Sequence, residues 1–143
     1  MDKNEKGILL VNSVLIQKPI EEVFDYCFDL ANELKWNPDG LLTLEELTPR
    51  PIVVGTKFLA VWKGSPPMTC EYRYINRPVD WEVYASAKGM DVAFRGEVTK
   101  QGSGTRLTVK MTLIPRGFLR VLSPILKSSF QRGEVKNLAN VKV

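Results

Sequence analysis

From Gly117 to Asn140 the sequence carries its one long helical candidate, and between residue 40 and that stretch every apolar segment reads as a strand. Phe118, Val121, Leu122, Ile125, Leu126, Ser129 and Phe130 fall at helical spacings on one broad face, with Arg120 and Lys127 opposite. Such a face needs a curved apolar surface to lie against, and each large side chain buried there is worth roughly 1.5–3 kcal/mol. Ser123-Pro124 has the signature of an N-cap followed by proline in the first helical position, which makes residues 117–122 a separate turn; a proline kink in one continuous helix is the alternative. Gly133 interrupts the pattern, and beyond it the apolar phase shifts to Val135, Leu138 and Ala139.

The surface for that helix has to come from the strands. Residues 8–17, ILLVNSVLIQ, form a β-branched, leucine-rich run that ends at Lys18-Pro19. Pro19, taken as the first helical position, opens a helix with Glu21 and Glu22 in its first turn and Ile20, Val23, Phe24, Cys27 and Phe28 on one face. Asp29 caps a second short helix carrying Leu30, Ala31 and Leu34, which stops at Trp36-Asn37-Pro38. Strand segments then follow at about 41–48, 56–63, 68–76, 81–88, 90–101 and 105–114, divided by Pro49-Arg50-Pro51, Gly64-Ser65-Pro66-Pro67, Arg77-Pro78, Gly89 and Gly102-Ser103-Gly104. Links of hairpin length leave no room for crossover helices, so the seven strands are expected to be antiparallel. In the last strand Leu107, Val109, Met111 and Leu113 alternate with Arg106, Thr108, Lys110 and Thr112, which gives one dry face and one wet face.

Composition narrows the chemistry. A chain of 143 residues with no internal repeat or linker is expected to be one domain, residues 1–143, and 44% hydrophobic with 25% charged residues excludes disordered and fibrous classes. With no histidine, imidazole acid/base chemistry is excluded and a transition-metal site lacks its commonest ligand, so no metal and no cofactor is expected. Cys27 and Cys70 belong to no CxxC pair and read as small core residues, a pattern suited to a reducing compartment. Lys3 and Lys6 before an apolar run superficially resemble a secretory leader, but Asn12 and Ser13 break the run and no small-x-small site follows, so a cytoplasmic protein is expected. The net charge of +4 comes largely from Arg116, Arg120, Lys127, Arg132, Lys136 and Lys142 around the last helix, with no block of five or six like charges. No nucleic-acid partner is expected, and a membrane surface is not favoured. No P-loop, dinucleotide fingerprint or nucleophile elbow is present.

The order of elements, together with Ile16–Pro38 (IQKPIEEVFDYCFDLANELKWNP), Val54-Gly55-Thr56 and Gly104-Thr105-Arg106, resembles the START-like (SRPBCC) superfamily, which includes polyketide cyclases/dehydrases and the birch-pollen-allergen fold. The resemblance covers nearly the whole chain. It implies an α+β helix-grip fold: a seven-stranded curved antiparallel sheet with two short helices after strand 1 and a long C-terminal helix over the sheet. An apolar cavity between sheet and helix is implied with it.

If the dry face lines that cavity, the ligand-binding candidates are Trp36 at the helix pair, Phe58 and Trp62, Tyr72 and Tyr74, Phe94, and Met111, with Cys70 and Trp81 among them. An apolar wall with a few hydroxyl or indole donors suits a greasy, partly oxygenated small molecule. The competing reading is that these side chains simply fill the core; the assignment rests on strand parity, which one bulge reverses. Asp91, Arg95 and Glu97, near Arg106 and Lys110, read as solvated cross-strand ion pairs before they read as a pocket that polarises a carbonyl. Arg132 and Lys136 continue the apolar stripe of the last helix; snorkelling to solvent is the commoner fate of such side chains, and reaching a cavity mouth to pair with an anionic head group is the alternative. The expected function is a binding protein for a hydrophobic small molecule such as a lipid or polyketide-like metabolite. The alternatives are a polyketide aromatase/cyclase-type enzyme using tyrosine or arginine, and a membrane-facing lipid or quinone chaperone. Ligand identity and oligomeric state have no signature in the sequence.

Overall fold

The computed structural model describes residues 7–115. In chain order they form β1 (Ile8–Ile16), α1 (Ile20–Phe28), a 3-10 turn (Leu30–Asn32), α2 (Glu33–Trp36), β2 (Leu41–Glu46), β3 (Lys57–Trp62), β4 (Met68–Asn76), β5 (Asp80–Ala87), β6 (Met90–Gln101) and β7 (Gly104–Pro115). The seven strands make one curled antiparallel sheet in the order β1-β7-β6-β5-β4-β3-β2, with β1 and β2 at its edges. The expected C-terminal helix, including Phe118 to Phe130, Arg132 and Lys136, lies outside the described residues, as do Met1 to Lys6.

Alternation decides which face is dry. On β7, Leu107, Val109 and Leu113 are buried, and their neighbours across β6 are Val98, Gly96 and Val92. The β1 partners of Leu113, Met111 and Leu107 are Ile8, Leu10 and Val14, whereas Leu9, Val11 and Leu15 point the other way and are exposed. The helix pair closes one end of the dry face. In place of the expected first helical position, Pro19 is the N-cap of α1: its backbone is extended (φ −63°, ψ 153°), and its carbonyl accepts from Val23 N at 3.1 Å. A proline suits either place because it has no N–H to leave unpaired. Val23, Phe24 and Phe28 are buried, and Phe24 and Phe28 both meet the Trp81 indole edge-on, at 5.2 and 6.1 Å between ring centroids. That indole lies flat across its β6 neighbour Gly96, where a Cβ would fall 2.3 Å from the ring. Asp29 caps the second helical segment as expected, its Oδ1 accepting from Ala31 N at 3.0 Å, and its carboxylate is also gripped by Arg50.

Two pairings carry an extra residue. One is between Leu41 and Thr43 on β2. The other is on β4, where the register passes from Tyr72↔Val83 to Tyr74↔Glu82 and leaves Arg73 as the bulge. Among the described residues, no helix is long and apolar enough to cross a membrane.

Candidate functional site

Between the helix pair and the concave sheet face lies a cavity of about 390 Å³. Cys27, Phe28, Leu30, Glu33, Trp36 and Asn37 line it from the helical side and its following turn. The sheet contributes Trp62 from β3, Met68, Cys70 and Tyr72 from β4, Trp81, Val83 and Ala85 from β5, Met90, Val92 and Phe94 from β6, and Leu107, Val109 and Met111 from β7. These side chains converge because the inward positions of five consecutive strands fall on one curved surface, and the short helices cover its end.

The wall is apolar apart from a few groups, most of which have partners. The Tyr72 hydroxyl donates to Phe28 O at 2.6 Å and accepts from Leu30 N at 2.9 Å, tying β4 to the junction between α1 and the 3-10 turn. Burial raises its pKa well above the ordinary phenol value. Its ring meets the cavity, but its hydroxyl is committed to the backbone. Both thiols, Cys27 and Cys70, are pushed up to about 12 by burial, which makes them inert as nucleophiles at neutral pH. Glu33 is different. Its Oε2 accepts from Trp62 Nε1 at 2.8 Å and from Asn37 Nδ2 at 2.7 Å. Glu33 is half-buried and is one of the residues that line the cavity. Desolvation raises its pKa from the ordinary value of 4.5, against the lowering effect of the Trp62 and Asn37 hydrogen bonds. Asn37, 4% exposed, packs so closely on Gly40 that a Cβ there would fall 2.4 Å from its side-chain oxygen.

Of the seven side chains singled out from sequence, the structure places Trp36, Trp62, Tyr72, Phe94 and Met111 in the cavity wall. Phe58 is 1% exposed and packs behind the wall, its ring centroid 6.1 Å from that of Tyr72. Tyr74 lies on the opposite face: the bulge at Arg73 reverses the parity after Tyr72, so Tyr74 is exposed and the Arg95 guanidinium sits 5.7 Å from its ring centroid. Residue-by-residue alternation has no term for an inserted residue, which is why 72 and 74 read alike in sequence.

The charged set of β6 also belongs to that convex face. Arg95 binds Asp80, Glu82 and Glu97, and Lys110 reaches Glu97 at 3.3 Å. The hydrogen bond from Arg95 holds the Glu97 carboxyl below the usual range. Asp91 accepts from the Tyr84 hydroxyl at 3.0 Å, and Arg106 donates to Gln101 and Ser13. Among the described residues, no group of three histidine, cysteine, aspartate or glutamate side chains is placed to hold a metal ion.

Sequence reasoning missed Glu33 and Asn37. Their i, i+4 spacing was visible, but an acidic residue at the start of a short helix reads as a helix-start device. Trp62, 29 positions away, gives no local sign that its indole N–H will reach that carboxyl.

No protein-family model matches the sequence, and no curated protein matches it. Solved structures do. TTHA0849 from Thermus thermophilus superposes with a TM-score of 0.74 at 16% identity, covering 93% of each chain. A START superfamily protein from Mycobacterium smegmatis gives 0.72 at 14% identity over 91% of this chain and 93% of that one. Ginseng major latex-like protein 151 from Panax ginseng gives 0.63 at 10% identity over 92% and 98%. At these identities the likeness concerns the fold, and the fold is that of the START-like superfamily.

Proposed function

We propose, starting from that fold, that the chain is a single START-like domain over residues 1–143 that binds a hydrophobic small molecule between its helix pair and its concave sheet. The observation that carries this reading is the cavity itself. Its volume of about 390 Å³ falls in the range of roughly 300–1,000 Å³ typical of small-molecule sites, and its wall is aromatic and aliphatic with few polar groups. Trp36, Trp62, Tyr72, Phe94 and Met111 are the proposed contacts, with Phe58 supporting them from behind. Free thiols at Cys27 and Cys70 fit a cytoplasmic setting. A lipid, a polyketide-like molecule or another apolar metabolite fits this wall, and no nucleic acid is proposed as a partner.

Native mass spectrometry of freshly purified protein, together with titration of the neutral probe N-phenyl-1-naphthylamine, tests the reading. The expected result is a co-purifying small molecule or micromolar probe binding that quenches tryptophan emission. A protein that carries nothing and binds no apolar probe sinks it.

A cyclase-type enzyme is the second reading, favoured by one observation: a carboxyl with a raised pKa in the cavity wall, the kind of group that moves a proton in enolisation. The tyrosine and arginine groups expected to assist have other employment. The Tyr72 hydroxyl is bound to backbone, and Arg95 and Arg106 face away from the cavity. Binding is therefore the better-supported function.

A further inference from the structure

The two oxygens of the Glu33 carboxyl are in unlike situations. Oε2 takes both available donors, the Trp62 indole N–H at 2.8 Å from the sheet and the Asn37 amide at 2.7 Å from the end of the same helix. Oε1 has no hydrogen-bond partner among the described residues, and Glu33 forms no ion pair among them. Two bonds to one oxygen fix the carboxyl plane, so an occupant meets Oε1 already oriented and little side-chain entropy is lost in engaging it. The neighbouring acid of the wall, Asp29, is neutralised by Arg50. Among the described residues that line the cavity, Lys63 on the β3–β4 turn is the cationic one.

We propose that Glu33 is the polar anchor of the cavity, its Oε1 bonding the neutral oxygen of an apolar ligand, a hydroxyl or a carbonyl, and selecting against ligands that carry a carboxylate. The inference rests on the binding reading above and specifies its ligand class. A protonated Glu33 donates to either kind of oxygen, and an ionised one accepts from a hydroxyl; burial, which favours the protonated form, supports both ligand types. A ligand carboxylate meets like charge from the ionised form, and the lining cation among the described residues, Lys63, is exposed on the β3–β4 turn, so a charge held beside Glu33 lies against an apolar wall.

The test is displacement of N-phenyl-1-naphthylamine by 1-decanol and by decanoate, in wild type and in Glu33→Gln. Any apolar cavity prefers the alcohol, so the quantity read is the change in that preference. Glutamine keeps an oxygen for Trp62 and Asn37 to donate to and turns an N–H donor toward the occupant, which suits a carboxylate. The decanol-to-decanoate selectivity, taken as the ratio of the two displacement constants so that any change in probe affinity cancels, is expected to fall at least tenfold in Glu33→Gln. Probe binding with a selectivity unchanged within threefold overturns the anchor and leaves the binding reading standing; no probe binding by wild type overturns both. If the variant does not fold, wild-type protein labelled with 13C at the glutamate carboxyls decides instead. Decanol is expected to move one glutamate resonance, and a titration that moves none rejects the proposal.

Discussion

Gly96 and Glu33 are the positions at which a single side chain decides most. The Trp81 indole occupies the space a Cβ at residue 96 would need, at 2.3–2.7 Å from three ring atoms, and that indole in turn supports Phe24 and Phe28. Gly96→Ala is therefore expected to cost about 1–3 kcal/mol, the usual range for overpacking a well-filled core. Urea denaturation should show a lower midpoint with an unchanged slope, and a midpoint equal to wild type would contradict this packing. At Glu33 the sign is set by proton linkage. Its native pKa is raised above the ordinary 4.5, so its contribution to stability is fully present below that value and is lost as pH rises through the native pKa. Glu97, held low by Arg95, works in the opposite direction, but it is common to wild type and variant. Thermal melts from pH 4 to pH 8 should thus show the midpoint of Glu33→Gln rising relative to wild type as pH increases. A difference independent of pH would mean that the carboxyl titrates normally.

Among the elements, β4 does two jobs, and one bulge separates them. Up to Tyr72 its inward side chains form cavity wall; after Arg73 they change sides, and Tyr74 joins the Arg95 network on the convex face. The strand was legible from its aromatic and β-branched residues between turn signals, and so were α1 and the Asp29 cap, because those signals are local. The bulge was not legible, since it is set by how β4 meets β5, and no residue in MTCEYRYIN announces it. The reach of the Tyr72 hydroxyl is likewise a property of two elements together. Tyr72→Phe leaves the Leu30 N–H and the Phe28 carbonyl without that partner, at an expected cost of about 1–3 kcal/mol. Hydrogen exchange at Leu30 should accelerate, while probe affinity stays close to wild type because the ring remains in the wall. A large loss of affinity at unchanged stability would instead assign the hydroxyl to the ligand.

At the scale of the molecule, the antiparallel order and the inward face follow from hairpin-length links and alternation, and both were readable before any coordinates. What the alternation leaves open is whether an inward side chain borders empty space or other side chains, because that depends on the sheet's curvature and on where the helix pair closes it. Phe58 and Phe94 show the difference. Both are inward aromatics on strands, yet Phe58 is 1% exposed behind Tyr72, and Phe94 is part of the cavity lining. Truncation of a phenylalanine in a filled core costs about 3–5 kcal/mol, since the lost contacts are not replaced. Phe58→Ala is expected to fall in that range. Phe94→Ala removes contacts on fewer sides and enlarges a cavity already present, so it should cost less than Phe58→Ala and change the affinity for N-phenyl-1-naphthylamine severalfold. Chemical denaturation and probe titration of the two variants, measured together, check both halves. Equal stability losses, with probe affinity untouched by Phe94→Ala, would mean that position 94 is packed as tightly as position 58, and the ligand would then have to lie elsewhere along the sheet.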